Sequence, residues 1–197
     1  IPVTNFEEIT DYYKNIGYQA DWFVIKALLS INNSIELKPV MEKPIRALYQ
    51  NWLENLNTKF QEFVKNNYKV LQESTSKDNS DVDIILFIDA FRYDVAKEFV
   101  NQIEKKYNIN FKTQWSALPS LTSTSKPAIS PVFSKISNES NCNDFRPQFI
   151  DGKDTTPSNF KNALIENGFE YLDKKNIGSI DKSKKYWIEL GKLDEQG

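Results

Sequence analysis

Apolar positions in the first 73 residues recur at steps of three and four. Ala20, Phe23, Val24, Ala27, Leu28 and Ile31 fall on one face of a helix. Asn32-Asn33-Ser34 breaks that pattern. Pro39 and Pro44 limit the next segment, with Pro44 suited to a first turn. Ile45, Leu48, Tyr49, Trp52, Leu53, Leu56, Phe60, Phe63 and Val64 then form a second helical stripe, which reads as a core face rather than a binding groove. Residues 74–81 are a polar run with turn chemistry and mark a boundary. The expected organisation is a helical segment with linker over 1–80, and a second region over 81–197.

The pattern changes after the boundary. Val82-Asp83-Ile84-Ile85-Leu86-Phe87-Ile88 is a short, nearly continuous apolar run, which fits a strand buried on both faces of a parallel sheet. Val95, Ala96, Phe99, Val100 and Ile103 return to helical spacing within 92–107. Residues 109–115 alternate, with Ile109, Phe111, Thr113 and Trp115 on one side. Strand, helix and strand in that order predict one βαβ unit. A short helix is expected from about Ser123, and an irregular excursion over 134–158. Ser158 is placed to cap a helix over 159–166 that stops at Asn167-Gly168. Phe169–Leu172 reads as a weak strand and Lys185–Leu190 as a stronger one. The fold class is α/β, a mainly parallel sheet flanked by helices, with a helical N-terminal segment.

Composition narrows the chemistry. There is no histidine in the 197 residues, which excludes Ser-His-Asp and Cys-His catalysis, HExxH metal sites and an imidazole switch within them. The single cysteine, Cys142, can form no internal disulfide and fits an inert thiol in a reducing, cytoplasmic setting. Lys and Arg total 25 against 27 Asp and Glu, so no overall basic excess points to nucleic acid or an anionic membrane. No run approaches the ~18 apolar residues of a membrane span. The chain starts at Ile1 and stops at Gly197, as expected of a piece of a longer protein. Neither GxGxxG nor GxxxxGK[ST] occurs, which removes dinucleotide and P-loop readings. Phe91 stands where a dehalogenase-type phosphatase needs a second Asp, and no earlier strand supplies a receiver's acidic pair.

Three residues remain as candidates for chemistry. Asp89 follows the first strand, where ligands of open α/β sheets bind. It would hold a cation there, or simply cap the next helix. Thr122 lies in a Ser/Thr-dense turn, where a hydroxyl contacts phosphate or caps the backbone. Asp194 follows the last strand. Two strand-end acids and a hydroxyl offer hard oxygen ligands for Mg²⁺, Mn²⁺ or Zn²⁺, but too few to complete a site.

Ile88-Asp89-Ala90-Phe91-Arg92-Tyr93-Asp94, followed by Ala117-Leu118-Pro119-Ser120-Leu121-Thr122-Ser123-Thr124-Ser125-Lys126, resembles the PglZ domain of the alkaline phosphatase superfamily. The match is specific over about 82–131. It is looser at Tyr49, Trp52, Leu53 and Phe60, which resemble the region before the domain in BREX-type phage-defence proteins. The resemblance implies the first part of such a domain over 81–197, truncated at its C-terminus. It implies a metal-dependent phosphoesterase or phosphodiesterase with two divalent ions, Zn²⁺ foremost and Mn²⁺ or Mg²⁺ as alternatives. Asp89 would be a metal ligand, and Thr122 both metal ligand and nucleophile, passing through a phosphothreonine. Backbone N–H groups after Thr122 would hold nonbridging oxygens. Asp194-Glu195-Gln196-Gly197 resembles the start of an Asp-x-x-Gly-His element, making Asp194 a ligand of the second metal, with histidine expected to follow. Arg92, Ser123 and Lys126 are candidate phosphate contacts, although Arg92 and Lys126 equally suit structural ion pairs. Asp94 suits the first turn of its helix.

The parent protein is therefore expected to be an enzyme, and these residues alone inactive. The expected partners are a phosphoester substrate, such as nucleic acid or a nucleotide, and other phage-defence components. An apolar face left open would favour self-association. The alternatives are a non-catalytic scaffold of a defence complex, or a phosphodiesterase output domain of a signalling protein.

Overall fold

The computed structural model describes residues 1–73, 82–115, 117, 119–137, 145–172, 177–178 and 180–191, the side chains of 67–73 excepted. The chain divides into two compact units. One holds Ile1–Tyr68 with Phe91–Phe111, and the other Lys69–Ala90 with Lys112–Gly197.

The first unit is helical. Helix α1 (Phe6–Tyr12) starts at Asn5, whose side chain accepts from the Glu8 amide at 2.9 Å. A π-helical turn, Tyr13–Gly17, leads into α2 (Tyr18–Asn32). Helix α3 (Leu37–Glu73) starts earlier than Pro44 suggests. The Ser34 hydroxyl accepts from the Leu37 amide at 3.1 Å, Pro39 occupies the first turns, and Pro44 lies inside the helix. The aromatic stripe on α3 is core as expected. Trp52, Phe60 and Phe63 pack with buried Val3, Ile9 and Leu56, whereas Leu48 is 79% exposed.

Helix α4 (Tyr93–Ile103) belongs to this same unit, which moves part of the expected second region into the first. Tyr93 packs against Tyr13 and Tyr18, with ring centroids 5.9 and 5.5 Å apart, and its hydroxyl donates to the Lys14 carbonyl at 3.0 Å. Residues 109–115 form no strand, so the expected βαβ unit over 82–115 is corrected. Phe111 is occupied by packing on Tyr93, at 5.8 Å, and beneath the Lys97 ammonium, at 4.9 Å. Its alternating pattern reflects side-chain packing on a helix rather than a ladder.

The second unit is built on a parallel sheet in the order β1-β3-β2, from β1 (Ile84–Ile88), β2 (Phe169–Leu172) and β3 (Lys185–Leu190). Phe87 pairs with Glu189 and Ile88 with Leu190, while Tyr171 pairs with Trp187 across the other side of β3. Central β3 is the best buried strand, with Tyr186, Trp187 and Ile188 at 3% exposure or less. Edge strand β1 is not buried on both faces. Ile84 and Leu86 stay 45% and 47% exposed, while Phe87 is buried in the core and Ile85 packs against it.

Helix α5 (Thr122–Ala128) follows a turn, and α6 (Pro157–Glu166) covers the core face of the sheet. Thr156, not Ser158, caps α6, because Pro157 lacks an N–H and fits the first helical position. Gly168, at φ +83°, closes that helix as expected. The core joins Phe87, Val132, Phe149, Phe160, Leu164, Phe169 and Trp187. Trp187 stacks on Phe87 at 5.9 Å and meets Phe160 edge-on at 5.6 Å. No helix among the described residues is long and apolar enough to cross a membrane.

Candidate functional site

Asp89 leaves the end of β1, and its amide continues the ladder by donating to the Leu190 carbonyl at 2.9 Å. The next residue, Ala90, has φ 52°, a left-handed conformation that costs a non-glycine residue about 1–2 kcal/mol. The Ala90 amide donates to Asp89 Oδ1 at 3.0 Å, which fixes the carboxylate above the strand end. Gly191 closes the other side at φ +90°. A Cβ there would lie 3.1 Å from the Asp89 carbonyl oxygen and 3.3 Å from its nitrogen.

Thr122 is the first residue of α5. Its hydroxyl donates toward both carboxylate oxygens of Asp89, at 3.2 Å to Oδ1 and 3.0 Å to Oδ2. The residues that sequence reasoning singled out, 33 positions apart, are therefore in contact. Thr124 serves a different purpose. It is 8% exposed, and its hydroxyl donates to the Pro119 and Leu121 carbonyls and accepts from the Leu121 amide at 3.2 Å. Thr124 thus folds the Pro119–Leu121 turn that presents Thr122.

The expected row of amides after Thr122 is corrected in part. The Thr124 and Ser125 amides both donate to the Leu121 carbonyl, at 3.1 and 2.8 Å, and so are committed to the helix. Ser123 lies half-buried beside Thr122 on α5. Lys126 and Arg92 both sit in structural ion pairs. Lys126 Nζ donates to Glu189 Oε2 at 3.0 Å. Arg92 belongs to the helical unit, where it binds Asp94 at 3.0 and 3.2 Å and Asp21 at 3.2 Å. Asp94 begins its helix as expected, but is completely buried. Asp194 lies outside the described residues, as does Cys142.

The donor chemistry at Asp89 and Thr122 fits a hard divalent cation, because a carboxylate and a hydroxyl converge on one accessible strand end. Among the described residues, no group of three or more ligating side chains gathers to complete such a site.

Over residues 68–186, more than half of its length, the sequence matches the family described as the BREX system PglZ alkaline phosphatase-like domain. The chain belongs to the PglZ family. No curated protein and no solved structure matches it. The PglZ match contains Asp89, Thr122, Ser123 and Lys126, and the parallel sheet with flanking helices agrees with an incomplete alkaline phosphatase-like fold. It also contains Arg92, so the family segment runs through α4 of the helical unit.

Two positions just beyond the PglZ match were missed from sequence. Glu189 lies inside the expected strand Lys185–Leu190 with no local signal of its own, yet it anchors Lys126. Gly191 carries a local signal, a glycine directly after a strand, whose meaning depends on the backbone of β1 beside it. Gly191→Ala is expected to destabilise the second unit by about 1–3 kcal/mol, since it combines a positive φ with a backbone approach that cannot yield. Denaturant unfolding checks this, and the same variant should weaken the Asp89–Thr122 contact, visible as faster amide exchange at Asp89.

Proposed function

We propose that this PglZ domain is a metal-dependent phosphoesterase of a phage-defence protein, acting on a phosphodiester such as nucleic acid or a nucleotide. The observation that carries the reading is the Thr122 hydroxyl held at 3.0 and 3.2 Å from both oxygens of Asp89, inside the family match. A bound divalent ion, Zn²⁺ foremost, would supply charge neutralisation and lower the pKa of a hydroxyl. Asp89 and Thr122 would hold it together with further donors, Asp194 being one candidate.

The chain's own residues account for orientation. Asp89 accepts the Thr122 hydroxyl proton, which turns an Oγ1 lone pair outward. Thr122 Oγ1 attacks phosphorus, the bond to the departing alkoxide breaks, and that oxygen takes up a proton from solvent, to which Asp89 releases the proton it accepted. Water then cleaves the Thr122 O–P bond, returning the hydroxyl and releasing phosphate monoester. Thr124 keeps the nucleophile's turn fixed throughout.

The test is hydrolysis of a chromogenic phosphodiester after chelation and addition of Zn²⁺, Mn²⁺ or Mg²⁺. It compares residues 1–197 with the longest native form of the protein. Turnover by the long form that metal restores at least about tenfold, and none by 1–197 alone, is the expected result. Absence of turnover by every form would favour the scaffold reading and direct attention to assembly with other defence components.

A further inference from the structure

We infer that Lys126 and Glu189 are a positioning pair that sets Thr122 against Asp89, and that Lys126 does not bind substrate. This rests on the phosphoesterase reading above. Lys126 lies one helical turn after Thr122, on the same side of α5. Its ammonium donates to Glu189 Oε2 at 3.0 Å, and the Trp187 indole N–H donates to Glu189 Oε1 at 2.9 Å. Both carboxylate oxygens are thereby engaged. The ammonium also lies 5.8 and 5.9 Å from the ring centroids of Phe87 and Phe160. The two side chains are only 21% and 25% exposed, so water screens the pair less than an ordinary surface ion pair.

The same strand end therefore holds both partners of the site. Leu190 fixes the Asp89 backbone, and its neighbour Glu189 fixes the helix that carries Thr122. A lysine turned onto Glu189 and two aromatic rings is oriented toward the core. A substrate phosphate would have to displace a charge-assisted hydrogen bond to engage it.

The test compares Lys126→Met, Glu189→Gln, the double variant and Lys126→Arg with wild type in the longest native form. One readout is kcat and KM on the chromogenic phosphodiester. The other is amide exchange over residues 121–128, which needs no turnover. Both single variants should lower kcat about tenfold with KM within about twofold, as expected for a lost orientation effect. The double variant should match the singles, and Lys126→Arg should retain most of the activity. Exchange over 121–128 should rise in Lys126→Met and Glu189→Gln alike. A large KM increase in Lys126→Met with none in Glu189→Gln would overturn the inference and make Lys126 a substrate contact. Unchanged exchange in both would overturn it as well. If wild type is inactive, the phosphoesterase reading fails, and the exchange data still decide whether the pair anchors α5.

Discussion

Thr122→Ala should lower phosphodiester turnover by more than about 10³-fold while leaving the fold intact. The loss corresponds to more than about 4 kcal/mol of transition-state stabilisation, too large for an altered hydrogen bond and expected of a missing nucleophile. The residue lies at the start of α5 and is only half-buried, so loss of its hydroxyl and methyl opens no enclosed cavity. Thr124, which ties down the preceding turn, is untouched. Thermal unfolding should therefore be close to wild type, and the comparison of kcat with melting midpoint separates lost chemistry from lost structure. Thr122→Ser supplies the complementary result. It keeps the hydroxyl, so a substantial part of the activity should return. Equal activity in Thr122→Ala and wild type would exclude the threonine mechanism.

The largest expected effect on stability comes from Asp21→Ala. Asp21 is 6% exposed and accepts from the Tyr49 hydroxyl at 2.6 Å, from the Tyr13 hydroxyl, and from Arg92 at 3.2 Å. Removing the carboxylate leaves two phenol hydroxyls without their acceptor and opens a small void. Arg92 keeps Asp94 and is half exposed, so its share is discounted for solvent. A total of about 3 kcal/mol is expected, or a fall of about 6–12 °C in melting midpoint. Tyrosine titration provides a second check. Burial foremost, and then the bond to Asp21, pushes the Tyr49 hydroxyl up to about 12, and the same causes push Tyr13 up as well. An unfolded tyrosine titrates near about 10, so these two contribute their full stabilisation below that pH. The contribution is lost as pH rises through the folded value. In Asp21→Ala the high-pH end of the tyrosinate titration should move down by the share that the bond to Asp21 contributes, while the share due to burial remains.

Legibility in the sequence followed the range of the forces involved. The α3 stripe and the strands at 84–88, 169–172 and 185–190 were readable because periodicity and branched apolar content are local signals. Asp89 and Thr122 were readable because strand-end acids and turn hydroxyls are local features too, and the family pattern joined them. The 109–115 alternation misled because period two records only that alternate side chains find apolar neighbours. Phe111 finds Tyr93 and Lys97, with no strand beside it. Asp21 was invisible for the converse reason. It sits next to an apolar stripe as an ordinary helix-start acid, and its partners Tyr49 and Arg92 lie far along the chain. The same holds for Glu189, whose partner is 63 residues away.

The helical unit is discontinuous in sequence, and this bears on how the protein can be divided. The chain leaves it after Tyr68, builds β1, and re-enters at Phe91 to add α4. The polar run at 74–81 invites a cut between domains, yet a cut there severs the helical unit from its own last helix. The upstream piece would keep Asp21, Tyr13 and Tyr49 but lose the guanidinium of Arg92 and the ring of Tyr93. The downstream piece would carry α4 with Asp94 deprived of its burial. During synthesis the early helices likewise stay incomplete until β1 and α4 have both been made. A shortened version meant to isolate the helical unit is best joined through a designed loop from Tyr68 to Phe91 rather than severed at the linker.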